Sequence, residues 1–394
     1  MSTPINTSKR QFLRQATLPL WLTALPAAVW AQTPVTPAAV VRFHAELVHA
    51  TYADTLAAAE TLQAAVASFV KAPDAAALET ARRAWLAARE FYGQTEAFRF
   101  YGGPIDDDKG PEGRLNAWPL DEAYIDRIQG RPEAGLINRR SVAITKAHLS
   151  QLNEKGGEEN IAAGWHAIEF MLWGQDQRAD GAGQRPASDF IDGQAPNADR
   201  RRLYLSVVTE LLVDDLRSLV TAWAPGARNY RQRFEAGGTE SLRKIIIGLG
   251  SLSRGELAGE RMEVALNTQD QEDEHSCFSD NTHRDIVNNA LGIQNVWLAR
   301  CVRRDGSLLQ GASPAALLTQ VDAALAQRLT QQIALSVTRA QAIQAPFDRE
   351  IIGGKDAPGR QRVQAVIDSL VAQAKGLVDA AAALGITRLN LVNA

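Results

Sequence analysis

Apolar residues recur every three to four positions along this chain, in long Ala-rich and Leu-rich runs, and the strict alternation of a half-buried strand is scarce. That period belongs to amphipathic helices, so the body reads as all-α. The spacing predicts helices over 36–71, 74–100, 139–154, 158–173, 199–223, 239–259, 282–303, 314–345 and 358–385. Ser313 before Pro314 is a start signal, a hydroxyl residue at the N-cap followed by proline at the first helical position. Gly-rich and Pro-rich loops fall at 102–113 and 181–198, and the second divides the helices into two sets of similar size. The expected architecture is two packed helical-bundle lobes, N-terminal over 36–190 and C-terminal over 199–390, with a ligand cleft between them. Tyr52 and Tyr204, each early in a long helix, and Glu96/Arg99 set against Glu260/Arg261 are faint echoes of a duplication.

The first residues break the pattern. Lys9, Arg10 and Arg14 precede an apolar run from Ala16 to Val29, and Val29-Trp30-Ala31 offers small residues for cleavage before Gln32. Residues 1–31 therefore read as an export signal peptide, which places the mature chain, soluble after cleavage, in the periplasm or outer cell envelope. Cleavage would remove three basic residues and no acidic one, leaving 39 Lys+Arg against 45 Asp+Glu. An acidic body disfavours nucleic acid as a partner. No later run reaches the ~18 apolar residues that a transmembrane span needs. Two cysteines in an exported chain invite a disulfide, but Cys277 and Cys301 lie roughly 27 Å apart along one helix, and a bridge needs Cα atoms within about 7 Å. Two free thiols are expected.

Candidate chemistry starts at Gly164-Trp165-His166-Ala167-Ile168-Glu169-Phe170-Met171-Leu172-Trp173-Gly174. On a helix, His166 and Glu169 share a face while Trp165, Ile168 and Leu172 occupy the other, so the whole helix should be buried. A buried carboxylate needs a cation, a donor or a metal beside it. Gly164 inside that helix costs roughly 1 kcal/mol relative to Ala, a cost that argues for a use. The second concentration of donors is Glu272-Asp273-Glu274-His275 with Asp280 and His283. Glu272 and His275 have the Glu-x-x-His spacing of carboxylate-bridged iron proteins. Glu46 and His49 repeat it by chance. Arg99, in an apolar segment, is expected to reach Glu96 or Glu169, with Asp106 close by. No His-Glu-x-x-His, phosphate loop or haem-attachment motif occurs.

Gly164-x-His166-x-x-Glu169 resembles the motif of the imelysin family, bacterial envelope proteins linked to iron. Segments 95–106, 116–122, 255–262 and 272–283 are similar to blocks of its imelysin and iron-regulated-protein-A branch. The resemblance implies two helical bundles and association with iron acquisition. It centres a metal site on His166 and Glu169, helped by Glu272, His275 and His283 and supported by Glu96, Arg99, Asp106, Asp273 and Asp280. Iron or zinc suits these donors better than copper(I), and the ligand is a metal ion or a metal chelate. The family is also classed among peptidases, which would make Glu169 the group activating a metal-bound water on a polypeptide substrate. A third reading is a non-catalytic scaffold for an envelope partner protein.

Overall fold

Cap chemistry starts the first two long helices. Thr36 accepts from the Ala39 N–H at 3.2 Å ahead of Pro37, and Asp74 accepts from the Ala77 N–H at 2.7 Å. Helix α1 spans Pro37–Lys71 and α2 Ala75–Thr95. The other helices that build the frame are α3 (Gly164–Trp173), α4 (Ala198–Trp223), α5 (Thr239–Ser251), α6 (Thr282–Leu298), α7 (Ala323–Ala340) and α8 (Pro358–Ala383). The computed structural model describes residues 34–178, 180–389 and 391, so the export-signal reading of 1–31 lies outside the described residues. No described helix is long and apolar enough to cross a membrane.

The fold is an all-α bundle. Helix α1 packs against α2 and α4, α2 against α6, α3 against α4 and α2, and α7 against α8. Trp85, Trp165, Trp223 and Trp297 are fully buried in one continuous apolar core. Indoles can be buried only where the N–H finds an acceptor or tolerates having none. Trp85 Nε1 donates to the Trp165 carbonyl at 3.0 Å, which ties α2 to α3. Both cysteines are free and buried.

Several elements differ from their sequence-based limits. The helix expected over 158–173 begins at Gly164, whose φ is +92°, so the glycine starts the helix instead of weakening its interior. A Cβ there would meet the Leu115 and Arg114 carbonyl oxygens at 2.6 and 2.7 Å. The run expected over 282–303 stops at Leu298 and turns into a hairpin, Arg300–Val302 paired antiparallel with Leu308–Gln310. Its turn holds Gly306 at φ +82° and Asp305 accepting from the Ser307 N–H at 2.9 Å. The expected 314–345 helix is broken because Asp322 caps a new start, accepting from the Leu325 N–H at 2.9 Å. Helix α5 does not end near 259: it continues as a π-helix over Leu252–Glu263, wider than an α-helix and uncommon outside functional regions. The 181–198 stretch is tied inward by Arg185, which, with Arg201, donates to Asp126 Oδ2 at 2.7 Å.

Candidate functional site

All ten residues of α3 are buried, because Trp165, Ile168, Phe170 and Leu172 leave His166 and Glu169 to interrupt an otherwise apolar surface. His166 is 2% and Glu169 0% exposed. One turn apart, they meet directly: His166 Nδ1 lies 2.9 Å from Glu169 Oε2. The other carboxyl oxygen, Oε1, accepts from the Ser279 N–H at 2.9 Å and the Ser279 hydroxyl at 2.7 Å. Burial raises the Glu169 carboxyl to about 8 against the pull of those Ser279 bonds. Burial, followed by the charge of Arg89, drives the His166 imidazole well below its ordinary value. Both shifts favour the uncharged forms, and the 2.9 Å contact puts a hydrogen bond between Nδ1 and Oε2. His166 Nε2, on the far side of the ring, is buried without a hydrogen-bond partner.

A second imidazole stands against the first. The rings of His166 and His275 lie 4.8 Å apart in an edge-to-face arrangement. His275 Nδ1 lies 3.2 Å from Asp285 Oδ2, and Nε2 accepts from Asn116 Nδ2 at 3.3 Å. Burial and the charge of Arg261 keep this imidazole neutral, well below its ordinary pKa, although Asp285 opposes them. Burial alone would raise Asp285 too. The Arg89 charge, with the donors of His275 and Ser276, outweighs it and holds Asp285 far below the usual carboxylate range. Arg89, 1% exposed, bridges the group: it pairs with Asp285 at 2.9 Å and donates to Asn116 Oδ1 at 2.8 Å. Arg261, from the π-helix, pairs with Glu96 at 2.7 Å and Glu256 at 2.8 Å.

The other sequence-predicted residues scatter around this centre. Arg99 reaches Glu96 at 2.7 Å, with Glu112 and Glu256 at 3.0 and 3.7 Å, and is not paired with Glu169. Asp106 staples its own loop, accepting from the backbone N–H groups of Phe100 and Gly103. Glu272 and Glu46 are exposed, so of the Glu272-x-x-His275 spacing only His275 reaches the centre, and the carboxylate-bridged arrangement it suggested does not form. His283 Nδ1 donates to the Asp280 carbonyl at 3.0 Å. Asp273 lines an open groove of about 390 Å³ that also borders Asn116, Trp118, Arg99 and Glu256. That groove reaches the centre from outside, since Asn116 bonds His275 and the Trp118 ring lies 5.2 Å from it. A cavity of about 440 Å³ near Trp173 and Arg185 is lined by neither imidazole and has no part in this chemistry.

Sequence reading missed Arg89, Asn116, Ser279 and Asp285. A signal existed for Arg89, which interrupts the apolar face Leu78, Ala81, Trp85, Ala88, Tyr92 as Arg99 interrupts its own segment. Asn116 and Ser279 lie within the segments 116–122 and 272–283 that resemble family blocks, and no signal marks Asp285.

An all-helical bundle that buries a carboxylate-paired histidine on a short apolar helix, with a second histidine against it, defines a narrow class of protein. The chain belongs to the imelysin family, whose sequence model it matches over residues 48–377. It is 29% identical over 362 residues to iron-regulated protein A of Synechococcus elongatus, with 88% of each chain covered. Its fold is that of a crystal structure from Parabacteroides distasonis assigned to an iron-regulated protein A precursor, at TM-score 0.68 and 18% identity, covering 90% of this chain and 97% of the other. It is also that of an imelysin-like protein from Psychrobacter arcticum, at TM-score 0.63 and 14% identity, covering 91% and 100%.

Proposed function

We propose that this protein is an exported binder of iron, as an ion or a chelate, held at the two imidazoles His166 and His275 and serving iron acquisition at the cell envelope. One observation carries this reading: each ring has its Nδ1 against a carboxylate, Glu169 at 2.9 Å and Asp285 at 3.2 Å, which leaves His166 Nε2 without a partner and His275 Nε2 with only the 3.3 Å bond from Asn116, which a metal would displace. Metal-binding histidines are oriented in this way, the carboxylate fixing the tautomer and raising the basicity of the free nitrogen. The spacing supports it too. Two imidazoles bound through nitrogen to one ion at about 2.1 Å bring their centroids on the order of 5 Å apart, and these lie at 4.8 Å.

In this reading Glu169 orients His166 and does not itself hold the metal. Iron at Nε2 would require the proton between Glu169 and His166 to sit on Nδ1, opposite a carboxylate, and the proton that the neutral imidazole otherwise carries on Nε2 to be released to solvent. The donor set does not separate iron from zinc, and the name of the cyanobacterial relative favours iron.

The test is metal uptake by the purified protein under reducing conditions. The parent should bind about one Fe(II) per chain, and His166→Ala and His275→Ala should lose it while remaining helical. Glu169→Gln should weaken binding by about 10–100-fold, the usual loss when an orienting carboxylate is removed. Uptake by His166→Ala equal to the parent's would refute the reading. Chelator-sensitive cleavage of an unfolded polypeptide, abolished by His166→Ala, would instead favour a peptidase.

A further inference from the structure

Four acidic side chains from distant parts of the chain meet in a cluster that the imidazole site does not use. Asp176 follows α3, Glu274 and Asp280 lie in the segment before α6, and Asp348 opens the single turn Asp348–Ile351. One carboxyl oxygen from each of Asp176, Asp280 and Asp348 lies within 4.8 Å of the others. Glu274 sits against Asp348. None of the four is in an ion pair with a Lys, Arg or His side chain among the described residues. Gathering like charges in this way opposes folding unless something neutralises them.

The oxygens are also unused. Asp348 is 4% exposed and Glu274 2%, and no close hydrogen bond reaches the carboxyl oxygens of either; beyond that range Glu274 faces only Thr282 and Asp348 itself. Asp176 Oδ2 and Asp280 Oδ1 are likewise buried and unpartnered, which brings the free carboxyl oxygens to six. Buried polar atoms left unpaired are rare, and a cluster of them calls for a ligand. Burial, and then the neighbouring acids, raise Asp176 to about 6 and Asp280 to about 7.

We propose that Asp176, Glu274, Asp280 and Asp348 form a second metal site, specific for a hard divalent cation of calcium's size. The donors are oxygen only, with no nitrogen or sulfur to attract a softer ion. Calcium takes 6–8 oxygens at about 2.3–2.6 Å, so opposite ligands stand about 4.6–5.2 Å apart. Spacings within 4.8 Å suit such a shell, and calcium is favoured over magnesium because magnesium keeps several of its waters and is held by one or two carboxylates, not by an all-protein cage. Asp280 directly follows Ser279, whose N–H and hydroxyl hold Glu169. A bound cation would therefore tie the His275-bearing segment to Asp176 and Asp348.

The experiment is calorimetric titration and thermal unfolding of the purified protein with CaCl₂, MgCl₂ and MnCl₂ at neutral pH. CaCl₂ should bind at about one ion per chain and raise Tm by on the order of 5 °C at a hundredfold excess over Kd, with MgCl₂ weaker. Asp348→Asn and Glu274→Gln should lose the calcium response, and Asp348→Asn should be at least as stable as the parent without calcium because it removes a buried charge. His166→Ala should keep the full calcium response, which separates failure here from failure of the iron site. No heat and no shift with millimolar CaCl₂ would sink the proposal and leave a cluster that only shares protons. A calcium response unchanged in both Asp348→Asn and Glu274→Gln would also sink it.

Discussion

Replacing Arg89 by methionine is expected to lower the unfolding free energy by about 3–5 kcal/mol, seen as a lower midpoint in urea at an unchanged slope. Methionine roughly preserves the volume packed among the Trp85, Tyr92 and Trp165 rings, which the guanidinium now approaches at 5.6, 5.3 and 5.8 Å. What it removes is charge and donors. Asp285, 0% exposed, would keep only the weaker bonds of His275, Ser276 and Asn281, and a buried carboxylate without its cation is the costly case. The double variant Arg89→Met/Asp285→Asn should recover most of the loss, since removing both partners leaves no orphan charge. A single-variant loss below about 1 kcal/mol would show that the ion pair contributes no more than a surface one.

Much of the fold was legible because apolar spacing is local. Helices α1, α2, α4 and α8 lie within a few residues of their predicted limits, fixed by long Ala/Leu faces and by Thr36, Asp74 and Pro358 at the starts. The hairpin after α6 and the break before α7 had readable signals in Asp305-Gly306 and Asp322, which the continuing apolar period masked. The π-helix had none, because Leu252–Glu263 carries the same apolar residues an α-helix would. For the site, the burial of His166 and Glu169 followed from the all-apolar run around them. Their surroundings did not: Ser279 lies 110 residues from the Glu169 it holds, and Asp285 lies 196 residues from its partner Arg89, and a single chain read in order carries no record of which distant residues meet.

Gly164→Ala is expected to cost about 3 kcal/mol or more, and the cost separates into two parts. A side chain at φ +92° pays roughly 1–2 kcal/mol for the backbone conformation alone. The new methyl would also sit 2.6 Å from the Leu115 carbonyl oxygen and 2.7 Å from that of Arg114, and backbone cannot swing aside as a flexible side chain can. Gly385→Ala is the control, because Gly385 has φ +75° and nothing within 4 Å of the position a Cβ would take. It should pay the first part only. The difference between the two variants, measured by urea unfolding, therefore reports the collision at the start of α3. Relieving that collision means moving α3 away from the 114–115 backbone, and His166, two residues on, must move with it. Gly164→Ala should then lose iron uptake at temperatures where it is still folded, while Gly385→Ala keeps it. Equal destabilisation of the two variants would mean that α3 has room to shift and that the close approach of Leu115 does not set where the imidazole stands.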